Sequence, residues 1–526
     1  MKACFAKRWC IIFFALLFAF GISNTGDYGR PIDEKPEQEI LLMNIKEYAS
    51  IIGIDVKGAA FGGLNRISES VEQDHGIAAY YFFAPILLLT GRETLASMHT
   101  WHYYTFMLWF LGLLGLYSIL KSTYRSYWTP AIVTLIYYFT PRIFAEGHYN
   151  NKDIVLLSLI FLSLACTCAL LKRWKTKDIV SFSIASGFLM NCKIIGIAIW
   201  GITGLFAIAY AFLTAERKLW VRRLSDLALA AVMSGVVFFI LTPAMWRNPI
   251  GYIQYCFTNA TGFSRWSKSF LFNGESIQPM ITGVPRTYVV QWIMMTIPLY
   301  VIVLFVTSIG VFAKDIIIKR ERILYRQFFF LLFITAFSIP VLVSVLKAPS
   351  LVLYNGWRHN YYLYAFIILC SGYAVDRVLE NSRPDARIAV VAITIIGFIV
   401  TVGDMIINRS FEYMYFNPIA RAVVDMEEFE GDYWNVSVMP AMKAFAAEQN
   451  ADYEIVISPQ DYAADNQLKN VDVGNYRIVG EDHKADYYLF NTSMTSETYD
   501  LEKYEKVYSF LKYGRELCGI YKLRTE

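Results

Sequence analysis

The sequence has 526 residues, of which 56% are hydrophobic, 16% aromatic and only 17% charged, and its formal net charge is +4. Soluble domains are usually about one-quarter charged, so this composition excludes an ordinary soluble protein. The basic residues are spread over several loops rather than gathered on one face, which excludes a nucleic-acid-binding surface. The eight cysteines show no CxxC pair and mostly lie in or beside apolar runs, so no disulfide framework is predicted.

Apolar runs long enough to cross a bilayer recur along the chain. A spanning helix needs about 20 apolar residues, and on that criterion the sequence predicts about eleven of them. Their predicted ranges are 9–23, 99–120, 127–142, 154–171, 179–192, 194–214, 225–243, 288–312, 328–346, 360–376 and 388–407. We predict that the first run is an uncleaved anchor, because no convincing signal-peptide cleavage site follows it. The run 77–90 is short and contains Pro85, so it predicts an interfacial or re-entrant helix.

Positive charge falls in every second gap between the apolar runs. The main clusters lie at 172–177, 217–223, 314–326 and 377–387. Cytoplasmic loops of membrane proteins carry such an excess of Lys and Arg. The pattern therefore predicts a multi-pass membrane protein with its N-terminus inside and its C-terminus outside. The compact loops and the small tail favour the plasma membrane.

These features predict an α-helical polytopic membrane protein with two parts. Residues 1–407 would form the transmembrane domain, with a large first outer loop at 24–98, and residues 408–526 a small extracytoplasmic α/β domain. Local patterns in this tail predict one helix and two strands, at 440–449, 453–457 and 486–490.

The first outer loop contains two adjacent acidic residues, Asp33 and Glu34. Leu41, Ile45 and Tyr48 follow at helical spacing, which is typical of a helix lying on the membrane surface. One interpretation is that Asp33 or Glu34 merely caps this helix. The other is that a carboxylate at the bilayer edge accepts a proton from an incoming hydroxyl group.

The short outer loop 140–153 crowds five ionisable residues between two apolar runs. They are Arg142, Glu146, His148, Lys152 and Asp153. Ionisable groups this close to a membrane are costly and usually have a partner or a function. A salt-bridged turn, with Asp153 capping the next helix, and a functional loop both remain open. His148 has no other His or acidic residue at metal-site spacing, so it predicts no metal site. Binding of a divalent metal ion by Asp33 and Asp153 is allowed but not indicated by their spacing.

Two further segments contain residues that fit a phosphate or a sugar. Arg358 and His359 lie just before the tenth predicted span, and the guanidinium fork of Arg358 suits an anionic phosphate. Trp246 and Trp266 follow the seventh span. They fit a sugar or lipid head group, whereas Trp357 and Tyr361, which flank Arg358, are typical of an interfacial aromatic belt.

Together these motifs resemble a known family of membrane enzymes. Asp33-Glu34, PRIFAEGHYNNKD from Pro141, TPAMWRNP from Thr242 and YNGWRH from Tyr354, in this order, are similar to the GT-C membrane glycosyltransferases. The branch they most resemble is the glycosyltransferase family 39 type, with the protein O-mannosyltransferases and the lipid A aminoarabinose transferases. The resemblance covers roughly residues 8–410. The sequence departs from the pattern after Glu34, where Lys-Pro-Glu replaces the aromatic or His residues often found there.

The resemblance implies a GT-C fold and the transfer of a hexosyl or pentosyl group from a polyprenyl-phosphate donor to an extracytoplasmic acceptor. The acceptor would be a protein, a lipid or a glycan, and no cofactor is implied. Asp33 would be the general base, with Glu34 beside it and Asp153 as the acid of the second loop. The expected donor-phosphate contacts are Arg358, His359, Arg142 and Lys152. The expected substrate contacts are His148, Asn150, Trp246 and Trp266.

A polytopic secondary transporter is the alternative from a different functional class. Two features of the sequence favour that interpretation: the number of predicted spans, and charged residues among the apolar runs, such as Lys193. The polar clusters, however, lie at the predicted outer interface rather than in broken helices at mid-membrane, where transporters bind their substrates.

Overall fold

The structure is a computed structural model, and it describes residues 2–262, 265, 267–318, 325–381, 384–449, 454–460, 476–479, 484–491 and 501–524. The first half of the chain forms helices α1 (Lys2–Asn24), α2 (Glu34–Ile51), α3 (Ala84–Thr90), α4 (Leu95–Thr123), α5 (Thr129–Tyr138), α6 (Pro141–Glu146), α7 (Asp153–Arg173), α8 (Thr176–Cys192), α9 (Ile194–Thr214), α10 (Trp220–Leu241) and α11 (Pro249–Thr261). The second half adds α12 (Pro279–Thr282), α13 (Tyr288–Thr296), α14 (Leu299–Ala313), α15 (Tyr325–Lys347), α16 (Tyr362–Asn381), α17 (Pro384–Ile407), α18 (Pro418–Val423) and α19 (Val438–Gln449). The prediction of a mostly α-helical chain is confirmed.

Nine helical segments of the described chain are long and apolar enough to cross a membrane. They are Arg8–Asp27, Leu95–Thr123, Asp153–Arg173, Ile194–Thr214, Arg217–Leu241, Leu299–Ile317, Tyr325–Ser350, Tyr362–Glu380 and Arg387–Ile407. The predicted number of about eleven was therefore too high by this criterion. The two predicted spans that fall short are 127–142 and 179–192. The second of these is α8, a helix of 17 residues.

Prolines explain where the predicted spans are interrupted. Thr140 has φ −81° and ψ 116°, and Ile297 has φ −88° and ψ 140°. Each precedes a proline, and the proline ring disfavours the helical conformation of the residue before it. The predicted span 127–142 is therefore divided into α5 and α6, and the predicted span 288–312 into α13 and α14.

The shorter segments still return the chain to the same end of the helical bundle. Asp153, at the start of α7, contacts Lys193, which directly follows α8. Lys172, at the other end of α7, donates to the backbone oxygen of Ser122 at the end of α4. Since α4 and α7 end together, α5 with α6 and then α8 must each carry the chain back. The connectivity of the bundle thus matches the predicted alternation.

The basic clusters meet at the end of the bundle where α4 and α7 end. The contacts that join them are Lys172 Nζ to the Tyr325 ring centre at 4.6 Å, Arg223 Cζ to the Trp174 ring centre at 4.1 Å, and Arg377 Nη2 to Asp315 Oδ1 at 2.7 Å. Asp33 and Asp153 lie at the opposite end. This segregation is what the charge pattern of the sequence predicted.

The first outer loop contains the predicted interfacial segment. It forms a 3₁₀ turn at Ala78–Phe83 followed by α3, and it is apolar but too short to span. Helix α2 differs from the prediction, because its polar face is buried rather than exposed. Glu34, Glu37, Gln38 and Glu47 on this helix are each at most 5% exposed.

The tail folds into a five-stranded sheet with α19 packed against it. A separate hairpin before the tail holds β1 (Phe270–Phe272) and β2 (Glu275–Ile277). The described strands of the tail are β3 (Ile455–Pro459), β4 (Tyr476–Ile478), β5 (Tyr487–Asn491), β6 (Tyr504–Lys512) and β7 (Arg515–Leu523). Their order in the sheet is β4-β3-β5-β7-β6, in which β3 is parallel to β4 and β5 while β7 is antiparallel to β5 and β6. The predicted helix and both predicted strands are present, although residue 453 lies outside the described residues.

The tail and the first outer loop pack directly against each other. A buried cluster joins Tyr28 and Tyr149 to Tyr433 and Trp434 of the tail. Gly29 lies so close to the tail that a side chain there would approach a backbone oxygen, that of Val436, to 2.3 Å. The start of the tail is therefore part of the surroundings of Asp33.

Candidate active site

Asp33 directly precedes α2, yet its side chain does not cap the helix. No hydrogen bond from this carboxylate to the first turn is present. Asp33 Oδ2 instead accepts a hydrogen bond from Arg358 Nη1 at 2.8 Å. The Asp33 side chain is 43% exposed, whereas that of Arg358 is 6% exposed. The helix-capping interpretation is therefore wrong for Asp33, which presents a carboxylate to solvent beside a buried cation.

A tight turn fixes the segment that carries Arg358. Asn355 and Gly356 have φ values of 57° and 64°, a left-handed conformation that Asn and Gly adopt more readily than other residues. Their backbone N–H groups both donate to the carboxylate of Glu430, at 3.0 and 2.7 Å. A residue of the tail thus holds the turn from which Arg358 projects.

Glu34 points away from solvent and anchors α2. Its carboxylate contacts His102 Nε2 at 3.0 Å and Arg30 Nε at 3.4 Å, and it accepts a hydrogen bond from Gln38 at 3.1 Å. With its side chain only 1% exposed, Glu34 lies behind Asp33 rather than beside it at the surface. Its contacts fix the first turn of α2 against α4.

Asp153 begins α7 and is paired with Lys193. Lys193 has an extended backbone between α8 and α9, with φ −155° and ψ 153°, and this break turns its side chain toward Asp153. The sequence suggested that Asp153 itself caps α7. Asn150 has that role instead, since Asn150 Oδ1 accepts the backbone N–H of Asp153 at 2.8 Å. The Asp153 carboxylate is thereby left for Lys193 and for Asn150 Nδ2, which donates to it at 3.2 Å.

Glu146 connects this group to the tail. It accepts hydrogen bonds from the hydroxyl groups of Tyr361 at 2.6 Å and Tyr433 at 2.9 Å, and from Asn150 Nδ2 at 2.6 Å. Burial raises the pKa of Glu146 above its ordinary value. Asn150 therefore bridges Glu146 and Asp153, so the predicted substrate contact Asn150 is an internal member of the network.

Lys152 is paired with an acidic residue that the sequence analysis did not single out. Its Nζ lies 2.7 Å from Glu37 Oε1, and Asn151 Nδ2 donates to Glu37 Oε2 at 3.1 Å. Glu37 is on α2, one turn after Asp33. The loop before α7 is thus fixed to the helix that begins next to Asp33.

The consecutive residues Arg358 and His359 each have a buried nitrogen without a hydrogen-bond partner among the described residues, Nε of Arg358 and Nε2 of His359. Burial alone would lower the pKa of Arg358, but Asp33 and Asp153 hold it above its ordinary value. Burial, and then the nearby charge of Arg358, place the pKa of His359 well below its usual range, so the imidazole is neutral at pH 7. Two nitrogens without a partner in the described part of the chain therefore lie at or beside the permanently charged guanidinium of Arg358.

Two predicted site residues are enclosed in the protein core. Arg142 Nε donates to the backbone oxygen of Tyr415 at 3.2 Å, and its guanidinium lies over the ring of Trp292. His148 stacks on Phe106 at 5.1 Å between ring centres, and its Nδ1 lies 3.0 Å from a threonine hydroxyl group. Neither residue contacts Asp33 or Arg358 in the described structure.

Of the two predicted tryptophan contacts, Trp246 lies away from the Asp33–Arg358 pair. Trp246 donates its indole N–H to the backbone oxygen of Phe239 at 2.6 Å and packs edge-on against Tyr48. Because a helix rises about 1.5 Å per residue, Tyr48 is roughly 20 Å along α2 from Asp33. Trp266 lies outside the described residues. The roles predicted for both tryptophans stay predictions.

Two surface cavities lie elsewhere on the molecule. One, of about 270 Å³, is bordered by Asp404, Tyr415 and Arg421 at the end of α17. The other, of about 420 Å³, is bordered by Lys46 and Arg66 near the end of α2. Neither is lined by Asp33, Asp153 or Arg358, so the candidate site is defined by its side chains and not by these cavities.

Two buried carboxyl groups of the tail make stability depend on pH. Burial raises the pKa of Glu412 and that of Glu430 to about 7, from an ordinary value of 4.5. The folded chain therefore holds protons that the unfolded chain releases between these values. This contribution to stability is fully present below pH 4.5 and is lost as the pH rises through about 7. We compare the thermal unfolding temperature of the wild type with that of a Glu430→Gln variant. We expect the wild type to lose stability relative to the variant as the pH rises from about 5 to about 8.

The measurement is thermal unfolding in detergent across that pH range, with Glu454→Gln as the control. Glu454 is 60% exposed, so its replacement should leave the pH dependence of the wild type unchanged. A constant difference between the wild type and Glu430→Gln at every pH would contradict the prediction.

Comparison with known proteins supplies the fold. No protein-family model and no curated protein matches the sequence. Among solved structures, the archaeal oligosaccharyltransferase AglB from Archaeoglobus fulgidus, in complex with an inhibitory peptide and a dolichol-phosphate, is similar with a TM-score of 0.50 and 10% identity. The match covers 90% of this chain but only 64% of AglB. ArnT from Cupriavidus metallidurans in the apo state is 14% identical, with a TM-score of 0.48, and the match covers 84% of this chain and 69% of ArnT.

This chain has the GT-C fold. The fold predicted from the order of the motifs is therefore confirmed, and the chain is a multi-pass membrane protein. At this level of identity the similarity concerns the GT-C fold alone. The function has to be argued from the side chains.

Several residues of this GT-C chain's candidate site were missed in the sequence. Glu37, Lys193 and Trp434 each contact one of the predicted residues, and Glu430 holds the turn that precedes Arg358. Lys193 had a recognisable signal, since a single lysine between two apolar runs needs a partner. The tail residues had none, because they reach the site only through folding contacts across more than 70 positions of sequence.

Proposed function

We propose that this chain transfers a sugar from a polyprenyl-phosphate donor to an acceptor on the extracytoplasmic side of the membrane, with Asp33 as the general base. The observation that supports this most strongly is the unequal exposure of the acidic residues. The side chains of Glu34 and Asp153 are 1% and 4% exposed, whereas that of Asp33 is 43% exposed. Asp33 is thus the carboxylate of this group that an incoming hydroxyl group reaches.

Arg358 and His359 are proposed to bind the donor phosphate. Arg358 is a buried cation that shares only Nη1 with Asp33, and the unpartnered Arg358 Nε and His359 Nε2 are available for phosphate oxygens. A guanidinium stabilises the charge that develops on a departing phosphate. Lys152, which the sequence also suggested, is proposed to contribute positive potential from its pair with Glu37.

The proposed step needs one carboxylate. The acceptor oxygen forms a bond to the anomeric carbon of the sugar while its proton passes to Asp33. The bond from that carbon to the phosphate oxygen breaks, and the electron pair leaves with the polyprenyl phosphate beside Arg358. A phosphate needs no proton to leave, so a single base suffices for an inverting reaction. Asp153 supports the site through Lys193 and Asn150 rather than by direct access.

The membrane bundle suits a lipid-linked donor. The AglB structure of the same fold contains a dolichol-phosphate, which is a polyprenyl phosphate. Asp33 lies at the end of the bundle opposite the basic clusters, which favours the extracytoplasmic side for the reaction. A transporter would instead bind its substrate in broken helices at mid-membrane. The hydrogen bond between Asp33 and Arg358 favours the enzyme instead. So does the proximity of Arg358 to both Asp33 and Asp153, which raise its pKa.

The test is a donor assay in membranes. Vesicles containing the chain would be supplied with a panel of radiolabelled polyprenyl-phosphate sugars, and label would be followed into protein, lipid and glycan fractions. The proposal expects transfer from at least one donor above the level of vesicles lacking the chain. No consumption of any donor would contradict it.

Replacement of Arg358 should weaken use of the donor. We expect Arg358→Ala to raise the donor KM by about tenfold or more, because hydrogen bonds to charged groups contribute roughly 1.5–3 kcal/mol. The matched control is Arg409→Ala, since Arg409 is 55% exposed and pairs with Asp27 rather than Asp33. An unchanged donor KM in Arg358→Ala would exclude the phosphate role.

A further inference from the structure

A short segment of the tail contacts Arg358 and the residue that precedes Asp33. We call residues 430–434 the tail strap. The indole ring of Trp434 lies over the Arg358 guanidinium, with 4.4 Å from Cζ to the ring centre. The backbone oxygen of Trp434 accepts the N–H of Ile32, the residue before Asp33, at 3.0 Å. One residue of the strap therefore touches the proposed base segment on one side and the proposed phosphate ligand on the other.

The strap is itself firmly held. Glu430 accepts the two N–H groups of the turn before Arg358. Asp432 accepts the N–H groups of Val436 at 3.1 Å and Ser437 at 2.8 Å, and Tyr433 donates to Glu146 at 2.9 Å. Trp434 itself is 2% exposed. The ring over Arg358 is thus part of a rigid segment and not a loosely placed surface aromatic.

An arginine needs such support to hold one geometry. Its long side chain has several rotatable bonds, and the hydrogen bond to Asp33 and the more distant ring of Tyr354, 5.6 Å from Cζ, leave the guanidinium plane freedom to tilt. Stacking on an indole face removes that freedom and adds an attraction that strengthens when the cation is desolvated. The 6% exposure of the Arg358 side chain places it in that regime.

We infer that Trp434 is a positioning residue for the proposed transfer reaction, holding the Arg358 guanidinium in register with Asp33 so that the tail completes the site. The inference rests on the proposed function for its activity readout. It adds a residue from the tail to a site that the sequence motifs place wholly in the first 410 residues.

The test compares two replacements that keep the backbone bond to Ile32. Trp434→Phe retains the nearer aromatic face over Arg358, whereas Trp434→Leu removes it and leaves the Tyr354 ring at 5.6 Å. We expect Trp434→Leu to lower kcat/KM for the donor about tenfold and Trp434→Phe to restore most of that loss. The matched control is Phe411→Leu, since Phe411 belongs to the same buried cluster and packs on Phe510 without touching Asp33 or Arg358. It should change thermal stability but not kcat/KM.

A second comparison separates positioning from a general structural role. In an Arg358→Gln background no cation is present for the ring to hold, so Trp434→Leu should cost little further activity, whereas independent effects would add. If Trp434→Leu does not fold, Trp434→Phe is compared in the two backgrounds instead. The inference is overturned if Trp434→Leu behaves like Phe411→Leu, or if its cost is the same in both backgrounds. A wild-type chain that uses no donor would overturn the proposed function itself, so the two failures are distinguishable.

Discussion

Replacing Asp33 by asparagine is expected to abolish transfer while the protein stays folded and inserted. The asparagine side chain has the same shape and keeps an oxygen for Arg358 Nη1, but it cannot accept a proton from the acceptor. General bases contribute about 10²–10⁴-fold to rate, so a loss of at least about 10²-fold in kcat is predicted. The measurement is donor-dependent transfer in vesicles, with thermal unfolding of the same preparation.

The matched control is Asp55→Asn. Asp55 lies in the same outer loop, is 74% exposed and pairs with Lys57 at 3.2 Å. The same chemical change there should leave activity and stability unchanged. Near wild-type transfer by Asp33→Asn would remove the base assignment, and equal losses in the two variants would show that the loop, rather than Asp33, is sensitive.

The second large effect concerns the Asp153–Lys193 pair and is measured as stability. The two side chains are 4% and 18% exposed. Lys193→Met would leave the Asp153 carboxylate buried without its cation, and breaking a buried pair in this way costs about 3–5 kcal/mol. We therefore expect a clear drop in the thermal unfolding temperature in detergent.

Two further variants establish the cause. The double variant Asp153→Asn with Lys193→Met carries no uncompensated charge and should recover much of the lost stability. Lys218→Met is the control, because Lys218 and its partner Glu216 are 75% and 71% exposed. If Lys193→Met unfolds at the wild-type temperature, or if the double variant is no better than the single one, the pair does not stabilise the protein as proposed.

The fold was predictable to the extent that one sequence pattern dominates it. Long apolar runs separated by basic gaps fix a membrane bundle, and the order of four short motifs indicated the GT-C fold. The number of spans was overestimated by two. Pro141 interrupts the run 127–142 through the residue before it, and α8, which covers 179–192, has only 17 residues. The polar face of α2 was wrongly predicted to be exposed. Amphipathic spacing shows which residues are polar, but not whether another part of the protein buries them.

The candidate site was predictable in its members but not in its arrangement. Asp33, Asp153, Arg358 and His359 were recognised as residue types suited to the chemistry, and the structure groups them at one end of the bundle. The sequence could not show that Glu34 faces inward and Asp33 outward, because two adjacent residues at a helix start differ only in the direction that the fold gives them. Arg142 and His148 have suitable chemistry, yet aromatic rings enclose them.

The measurement that most directly tests the central claim is a structure of the wild-type chain with a polyprenyl phosphate bound. The account predicts density for the phosphate within hydrogen-bonding distance of Arg358, with the Asp33 carboxylate facing the same space. The account would be contradicted by a phosphate bound elsewhere, with the Asp33–Arg358 hydrogen bond intact and no ligand atom near either side chain.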